Sequence, residues 1–489
     1  MISTKFIKSS LIYSIIGALP LASSFILLPF YTNLLSTDDF GVLMIYIVFT
    51  ALIQIIVNFG FDNFVPINFI NTSDNPLNQK NYISTAINSL LIIGLFVIVL
   101  AFFAGEPFFN VLNNILYKGK SIDFFPWGFM AVITAFFNSM YKTYTNLLVY
   151  QQRPVRFFWI NIINFSLTIG ISVAGLYITP FSLAGPMWGR LLSGFVIFLL
   201  SYLFFLNEFG IIFHKKYLKP IFQFCYPLFL YLVILWVLGN IDRYIILFFM
   251  NKTEVGIYDF AIKCTLLLDF ILNGLGAAFL PKVYDLWKKN NLTESTPEVN
   301  RYYNGYTAVI LLIMPLFTLV IPLIIPFFVK NNAYYQSFDF LALLTVGFAT
   351  RGIYTMFIAP VLYFKKTKVL PLIYFITAII QVILSIILIK HYGLIGAVWA
   401  AVITKPIQVL FLFYESKKFF TFKFNKFKII YLPSFYILLV IIMEIFIDPK
   451  FRNWSALIQL VVISLSVLYI YRNEFSLLLD SIKQFTRKK

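Results

Sequence analysis

The sequence predicts an all-α polytopic membrane protein with about fourteen transmembrane helices. Of its 489 residues, 60% are hydrophobic and only 12% are charged, and the mean hydropathy is +0.86. A soluble domain has about twice this share of charged residues, so most of the chain must be solvated by lipid. Apolar runs of about 18 residues or more, long enough to span a bilayer, recur along the chain. The distribution of lysine and arginine between alternate connections then sets the orientation of these runs.

The apolar runs divide the chain into predicted spans separated by short connections. The spans are predicted at residues 9–31, 41–62, 83–104, 124–150, 154–178, 183–206, 219–250, 254–280, 302–329, 336–363, 368–389, 393–414, 428–447 and 455–472. The longest connections, 105–123 and 281–301, have about twenty residues each. Neither is long enough for a soluble catalytic domain, so we expect no enzyme activity.

Lysine and arginine lie mostly on one side of the predicted membrane. With the N-terminus in the cytoplasm, 25 of these cations fall in cytoplasmic segments and 7 in the opposite connections. This bias follows the positive-inside rule and predicts that both termini are cytoplasmic. It also accounts for the net charge of +18, which therefore does not indicate a nucleic-acid partner. The expected partner is the lipid bilayer.

Three local matches indicate that the second half of the chain repeats the first. Residues 36–42 match residues 251–257 at an offset of 215, with an acid, a bulky apolar residue, glycine and a β-branched residue in each copy. The second match pairs Asn161, Asn164, Thr168 and Ser172 with Tyr374, Thr377, Gln381 and Ser385, at an offset of 213. The third pairs Gly185 with Gly396, within similar segments at an offset of 211.

The repeat predicts two six-helix lobes and a C-terminal addition. The expected lobes are residues 1–210 and 211–418, and residues 419–489 hold two further helices and a basic cytoplasmic tail. Six spans are an even number, so both lobes enter the membrane in the same direction. A pseudo-two-fold axis along the membrane normal should therefore relate them.

Six cations fall inside predicted spans rather than in connections. They are Lys142, Arg190, Arg243, Lys263, Arg351 and Lys405. Each costs about 2.5–3.5 kcal/mol in a membrane helix unless it faces water, an acid or an anion. Arg190, Arg351 and Lys405 have no acid three or four residues away, so we expect them to face a polar cavity and bind substrate.

The other three intramembrane cations have structural alternatives. Lys263 follows Asp259 by four residues, which favours a local ion pair. Arg243 follows Asp242 near the outer end of span seven, where it could pair or extend to the interface. Lys142 lies toward the inner end of span four and could extend in the same way. Binding of substrate by these three cations is the competing hypothesis.

Uncharged polar residues form stripes on two predicted spans. Gln54, Asn58 and Asp62 recur every four residues in span two, and Asn138 and Asn146 share a face of span four. A polar stripe on a membrane helix needs a neighbour other than lipid, so we expect these residues to line a central cavity. Two further membrane acids, Asp269 and Asp339, could be ion-coupling sites or counter-ions.

The sequence offers no metal, nucleotide or catalytic motif. His214 and His391 lie in a basic connection and a short turn, and Cys225 and Cys264 fall in apolar segments, so neither pair predicts ligands or a disulfide. Residues 119–121 resemble part of a phosphate-binding loop, but the first glycine of that motif is missing. We expect no cofactor and no metal.

The chain resembles a known family of membrane transporters. Phe40-Gly41, the segment from Gly239 to Tyr244, and residues 392–397 are similar to those of the polysaccharide transporter family. Its members are bacterial flippases for O-antigen and exopolysaccharide units, within the multidrug/oligosaccharidyl-lipid/polysaccharide superfamily. The resemblance covers nearly the whole chain.

The resemblance implies a function and a location. The expected substrate is a lipid-linked oligosaccharide on undecaprenyl pyrophosphate, moved across the bacterial cytoplasmic membrane by alternating access of the two lobes. A cationic central cavity would suit the anionic pyrophosphate. The polymerase and glycosyltransferases of the same polysaccharide pathway are the implied protein partners. The sequence has no nucleotide site, so an ion gradient or the membrane potential is the expected energy source.

Other functions stay open at this stage. A drug or metabolite antiporter of the same fold would need acids for cationic drugs, whereas here cations dominate the spans. A lipid II flippase would take a related pyrophosphate-linked substrate. A membrane polymerase or ligase of the same pathway would carry a large external loop, and no predicted external connection exceeds about twenty residues.

Overall fold

The structure of the protein is a computed structural model that describes residues 12–13, 16–116, 121–289 and 296–474. The α-helices in these ranges are α1 Leu19–Leu34, α2 Thr37–Asn58, α3 Phe61–Asn71, α4 Pro76–Ile115, α5 Phe129–Tyr150, α6 Pro154–Ile178, α7 Ala184–Phe209, α8 Lys215–Phe249, α9 Lys252–Lys289, α10 Thr296–Phe328, α11 Leu341–Ala349, α12 Arg351–Tyr363, α13 Leu370–Ser416, α14 Leu432–Phe446 and α15 Arg452–Ile470. Short 3-10 and π segments join some of them.

The all-α membrane architecture is confirmed. The described residues contain no strand, and a helix or helix pair lies in the described part of each of the fourteen predicted spans. In this part of the chain, ten helical segments are long and apolar enough to cross a membrane. Two of the lysines counted on the opposite side of the membrane, Lys118 and Lys120, and the basic tail beyond residue 474 lie outside the described residues.

The two long connections predicted at 105–123 and 281–301 are largely helical. Helix α4 extends the third span to Ile115, and α9 extends the eighth to Lys289. The apolar pattern marks only the part of a helix that meets lipid, so a helix that continues past the bilayer is missed. The expectation of twenty-residue loops was therefore wrong.

Two predicted spans contain breaks that the apolar pattern does not predict, and a third break lies at the predicted boundary between spans eleven and twelve. Span two is divided between α2 and α3, where Phe59 and Gly60 have φ of 49° and 90°. Span ten is divided between α11 and α12 near Thr350. Helix α13 holds spans eleven and twelve together and bends at Gly393, whose φ of 61° suits a residue without a side chain. Breaks at membrane depth are tolerated where protein surrounds the freed backbone groups.

Contacts divide the chain into two compact units, the first ending at Asp259 and the second beginning at Phe260. In the first unit, α5 packs against α2, α3, α4 and α7, and α6 and α7 form a tight pair. Its core includes Val57, Phe61, Ile87, Met140 and Tyr144, all buried. The predicted lobe boundary at residues 210 and 211 stays a prediction.

In the second unit, α10 and α11 are central. Helix α10 packs against α11, α12 and α15, while α11 also contacts α13 and α14. The two helices that the repeat leaves over, α14 and α15, therefore pack on the second unit, where Tyr436 and Val467 are buried. They add to the core of this unit.

The two copies of the repeated turn start α2 and α9 in the same way and lie against each other within the first unit. Ser36 and Asn251 cap the helices by accepting from the backbone amides three residues on, at 3.0 and 2.9 Å. A side chain at Gly41 would collide with the carbonyl of Lys252, and one at Gly256 would come within 2.6 Å of the carbonyl of Thr37. Both copies have glycine here because the first turns of α2 and α9 cross too closely for a side chain.

The repeat also reproduces a close helix contact in each unit. A side chain at Gly185 would meet the backbone of Gly175 and Leu176, and one at Gly396 would meet Leu388 and Ile389. The contacted residues are themselves 213 apart, the offset that matches spans five and eleven. Equivalent glycines therefore let equivalent helices approach closely in both units.

Candidate functional site

The polar stripes of spans two and four lie against each other in the first unit. The side-chain amide of Asn58, which is buried, donates to the Ser139 carbonyl at 3.3 Å and to the Thr143 hydroxyl at 3.0 Å. The Ser139 hydroxyl contacts the backbone carbonyl of Gln54 at 3.3 Å, and the Gln54 side chain is half-buried. These interactions satisfy the polar groups of two membrane helices with one another.

Asp62 extends this contact with a charge. Its carboxylate lies 2.9 Å from Nζ of Lys142, and its side chain is 4% exposed while that of Lys142 is 46% exposed. The side-chain amide of Asn146 donates to the Asp62 carbonyl at 3.1 Å, and Asn58 accepts from the Asp62 amide at 3.2 Å. The break at Phe59 and Gly60 places Asp62 in the first turn of α3, where an acid is favourable. Lys142 is thus paired with an acid rather than merely extended to the interface.

Arg243 forms a buried ion pair with Asp259 in the first unit. Its Nε and Nη2 each lie 2.7 Å from Asp259 Oδ1, and its Nη1 donates to the Gly239 carbonyl at 2.9 Å. Tyr258 donates to the neighbouring Asp242 at 3.2 Å. Arg243 is therefore paired with Asp259, the acid four residues before Lys263, whereas the sequence suggested the adjacent Asp242. Lys263 is half-buried on α9.

Arg190 differs from these cations because no carboxylate accompanies it among the described residues. It is half-buried on α7, and its Nε is buried without a hydrogen-bond partner. Asn138, on α5, is also half-buried, and its Oδ1 faces α7 near Gly194. Arg190 therefore lacks an acid partner both on its own helix, as the sequence predicted, and on the described helices around it.

In the second unit, Arg351 has an acid partner on another helix. Its Nη1 lies 3.4 Å from Asp269 Oδ1, its Nη2 contacts Asn273, and Asn273 donates to Asp269 Oδ2 at 2.8 Å. Arg351 has no acid three or four residues away in the sequence, but it is paired with an acid of another helix. The pair is about one-third exposed on each side, at 32% and 35%.

Lys405 lies on the second half of α13 without a carboxylate partner in the described chain. Its side chain runs across Gly347, where a Cβ would come within 2.5 Å of Nζ, and Nζ stands 5.0 Å above the ring of Phe348. A cation over an aromatic face gains part of the stabilisation that an acid would give. The small residue at Gly347 thus makes room for this lysine.

Asp339 lies in the 3-10 segment before α11 and pairs with Arg452, the first residue of α15. The carboxylate and guanidinium are 2.6 Å apart. Asp339 and Asp269 are therefore both counter-ions of arginine, which is one of the two alternatives predicted for them.

The two units place different side chains at equivalent positions of the repeat. The offset of 215 pairs Gln54 and Asn58 with Asp269 and Asn273, and the offset of 213 pairs Asn138 with Arg351. This correspondence can be found in the sequence by applying the offsets of the repeat to residues outside the three matched segments. The contact between spans two and four is neutral at these positions, whereas its counterpart in the second unit is an ion pair.

A tyrosine contact that sequence reasoning missed occurs in both units. Tyr141 donates to Asn161 at 2.5 Å, and the hydroxyls of Tyr354 and Tyr374 are hydrogen-bonded. Both members of the first pair are 213 residues before those of the second.

Within the described ranges, no group of three His, Cys, Asp or Glu side chains is placed to hold a metal ion.

The fold is that of membrane flippases and exporters. The lipid II flippase MurJ in an inward closed conformation is 17% identical, with a TM-score of 0.74 over 95% of this chain and 99% of that chain. An inward-facing multidrug resistance MATE family transporter of the MOP superfamily is 16% identical, with a TM-score of 0.67 over 82% and 94%. A MOP superfamily transporter from Pyrococcus furiosus is 15% identical, with a TM-score of 0.58 over 84% and 96%. These similarities define a multi-pass transporter fold.

The family follows from the sequence match. Residues 31–321, more than half of the chain, match the family described as polysaccharide biosynthesis protein, and the chain belongs to this family. No curated protein matches the chain. The protein is thus a membrane transporter of the polysaccharide biosynthesis and flippase class.

Proposed function

We propose that the protein is a flippase for an oligosaccharide linked to undecaprenyl pyrophosphate. The oligosaccharide would be an O-antigen, capsule or exopolysaccharide unit, moved to the outer leaflet of the bacterial cytoplasmic membrane. The observation that carries the proposal is one membrane cation in each unit, Arg190 and Lys405, without a carboxylate partner among the described residues. Family membership supports a role in polysaccharide biosynthesis.

An anionic ligand explains why these cations occupy membrane helices. A charged side chain near the middle of a membrane helix costs about 2.5–3.5 kcal/mol, and a bound pyrophosphate would offset that cost. Arg190 has a free Nε–H, and its planar guanidinium can engage two phosphate oxygens at once. Lys405 would act as a point charge.

The paired cations have a conditional role in the proposal. A pyrophosphate oxygen would compete with Asp269 for Arg351, and neutralising Asp269 with a proton or cation would favour the substrate. This exchange would couple transport to an ion gradient. For Lys142 and Arg243, whose acids are buried, and for Asp339 beside Arg452, we propose a mainly structural role.

The remaining features of the proposal follow the sequence expectations. Transport proceeds by alternating access, the usual mechanism of parallel-repeat transporters, without catalysis and without a bound cofactor. Both termini are cytoplasmic. Polysaccharide polymerase and glycosyltransferases of the same pathway are the proposed protein partners.

A lipid II flippase is the second candidate, because MurJ has this fold and the ligand is also pyrophosphate-linked. Arg190 and Lys405 would suit either substrate. A drug antiporter is less well supported, because unpaired cations repel cationic drugs. Rescue of a strain depleted of its lipid II flippase would favour the second candidate over the first.

The proposal is tested by export in a bacterial strain that lacks its polysaccharide flippase. We expect Arg190→Ala and Lys405→Ala to reduce surface polysaccharide roughly tenfold or more, because a hydrogen bond to a charged group contributes about 1.5–3 kcal/mol. Arg190→Lys should restore export in part, since the charge remains and the fork is lost. Lys418→Ala is the matched control, because Lys418 is exposed and pairs with Glu415 at 2.6 Å.

Membrane protein level is measured in parallel so that loss of folding is separated from loss of export. Wild-type export by both alanine variants at normal protein level would contradict the proposal. So would a loss of export in Lys418→Ala equal to that in Arg190→Ala.

A further inference from the structure

The second unit contains an apolar cleft at one end of its helices. The cleft has a volume of about 770 Å³ and lies between α12, the second half of α13 and α14. Phe357, Val409 and Ile437 form part of its walls. Leu410 and Leu438 also line it and are 54% and 57% exposed, so the cleft is open at its side. In a membrane protein such an opening admits lipid chains.

Two lysines stand at the polar end of this cleft. Lys417 and Lys426 line it together with Thr421, and both are exposed. Lys417 lies 4.4 Å above the ring of Tyr414, but neither lysine has a carboxylate partner among the residues that the structure describes. Their charges are therefore available to an anion.

Two neighbouring lysines outside the cleft, in contrast, are paired with acids. Lys418 pairs with Glu415 at 2.6 Å, and Lys428 pairs with Glu474 at 2.7 Å. Neither of these paired lysines lines the cleft. The cleft thus combines an apolar interior with two uncompensated positive charges at one end.

We propose that the cleft binds one anionic glycerophospholipid of the bilayer. An acyl chain lies between α13 and α14, and the phosphate lies between Lys417 and Lys426. A free phosphate would leave the apolar walls unused, and a zwitterionic lipid would partly cancel the two charges. Under the predicted topology this end is cytoplasmic, where anionic headgroups attract basic segments.

This site is independent of the proposed transport substrate. Its lysines lie in and next to the connection between α13 and α14, whereas Lys405 and Arg351 lie within membrane spans. The abundant lipid of the bilayer, not the transported one, is the occupant because the cleft opens sideways. Lipid binding can therefore be measured without assuming any transport activity.

The experiment is native mass spectrometry of the full-length protein purified in detergent. The protein is titrated with phosphatidylglycerol or with phosphatidylcholine of the same acyl chains. We expect preferential retention of one phosphatidylglycerol, with roughly fivefold weaker binding in Lys417→Ala or Lys426→Ala and more than tenfold in the double variant. Both substitutions are at exposed positions, so folding should be kept.

Lys423→Ala is the matched control for general electrostatic attraction. Lys423 lies on the same connection, is exposed and also lacks a carboxylate partner in the described chain, but it does not line the cleft. Its variant should bind phosphatidylglycerol like the wild type. An equal loss in Lys423→Ala, or no preference over phosphatidylcholine, would overturn the proposal.

Competition identifies the occupant. Inorganic phosphate should not displace the lipid, because it cannot use the apolar walls. Displacement of phosphatidylglycerol by an equal amount of undecaprenyl phosphate would overturn the proposal and assign the cleft to the isoprenoid carrier. Resistance to that competitor supports a bilayer lipid.

Discussion

The contact between spans two and four in the first unit and its counterpart in the second share a framework but carry different charges. Gln54, Asn58 and Asn138 occupy positions that hold Asp269, Asn273 and Arg351 in the second unit. At Gln54 and Asn58 the first contact is a neutral hydrogen-bond network, with the Asp62–Lys142 ion pair one turn further on, whereas the equivalent positions of the second form an ion pair that is about one-third exposed. The repeat therefore places polar residues at equivalent positions in both units. The residue types at these positions differ between the copies, so that only the second unit has charged side chains there.

We expect this difference to separate a structural role from a functional one. Neutral groups that satisfy each other hold two membrane helices together at little electrostatic cost. An accessible ion pair can exchange one partner for an anion or a cation, so its equilibrium depends on ligands. We therefore expect the second unit's pair to respond to substrate and the first unit's network to respond mainly to stability changes.

The largest expected difference is between Arg351→Ala and Asn138→Ala. Loss of the charged donor should reduce polysaccharide export roughly tenfold or more, whereas loss of the neutral equivalent should reduce it less than about threefold. Export is measured at matched protein level. Equal effects of the two variants would remove the functional distinction between the units.

A second prediction uses the crossing of the repeated turns. Gly41→Ala and Gly256→Ala should each lower the free energy of unfolding in detergent by about 1–3 kcal/mol, because the new methyl group meets backbone atoms that cannot move aside. Gly170→Ala is the control, because its Cβ would meet open space. If both variants are as stable as the control, the close crossing is not present in the protein.

The smallest effects concern the tyrosine contacts that the two units share. Tyr141→Phe and Tyr354→Phe should each cost about 0.5–1.5 kcal/mol, the usual contribution of one hydrogen bond. The exposed Tyr177→Phe should cost nothing measurable. Thermal unfolding of the three variants side by side makes the comparison, and clearly unequal costs at the two equivalent tyrosines would show that the repeat is not matched here.

Most of the fold could be predicted because lipid imposes one requirement on every span. An apolar run long enough to cross the bilayer identifies a helix, and the structure has helices at all the predicted spans. The break at Phe59 and Gly60 was not predictable by this rule, since a single glycine is common in membrane helices. The full lengths of α4 and α9 were missed for a related reason, because their ends are not bounded by lipid.

The candidate site was predicted only in part. Periodicity placed Asn58 and Asp62 on one polar stripe and Lys142 and Asn146 on another, and the structure brings these two stripes into contact. That they line a central cavity stays a prediction. The partner of Arg351 was missed because Asp269 is on a different helix, and sequence spacing reports only neighbours on the same helix. Contacts between side chains of different helices can be identified only from a structure, or by aligning the two copies of the repeat.

The central claim, that unpaired cations of the two units bind a pyrophosphate-linked lipid, is tested most directly by binding to the purified protein. The measurement is the affinity of the full-length protein in nanodiscs for undecaprenyl pyrophosphate. The account predicts that Arg190→Ala with Lys405→Ala weakens binding more than tenfold. Lys418→Ala with Lys423→Ala, which also removes two charges, should leave binding unchanged. Wild-type affinity in the first double variant would contradict the account.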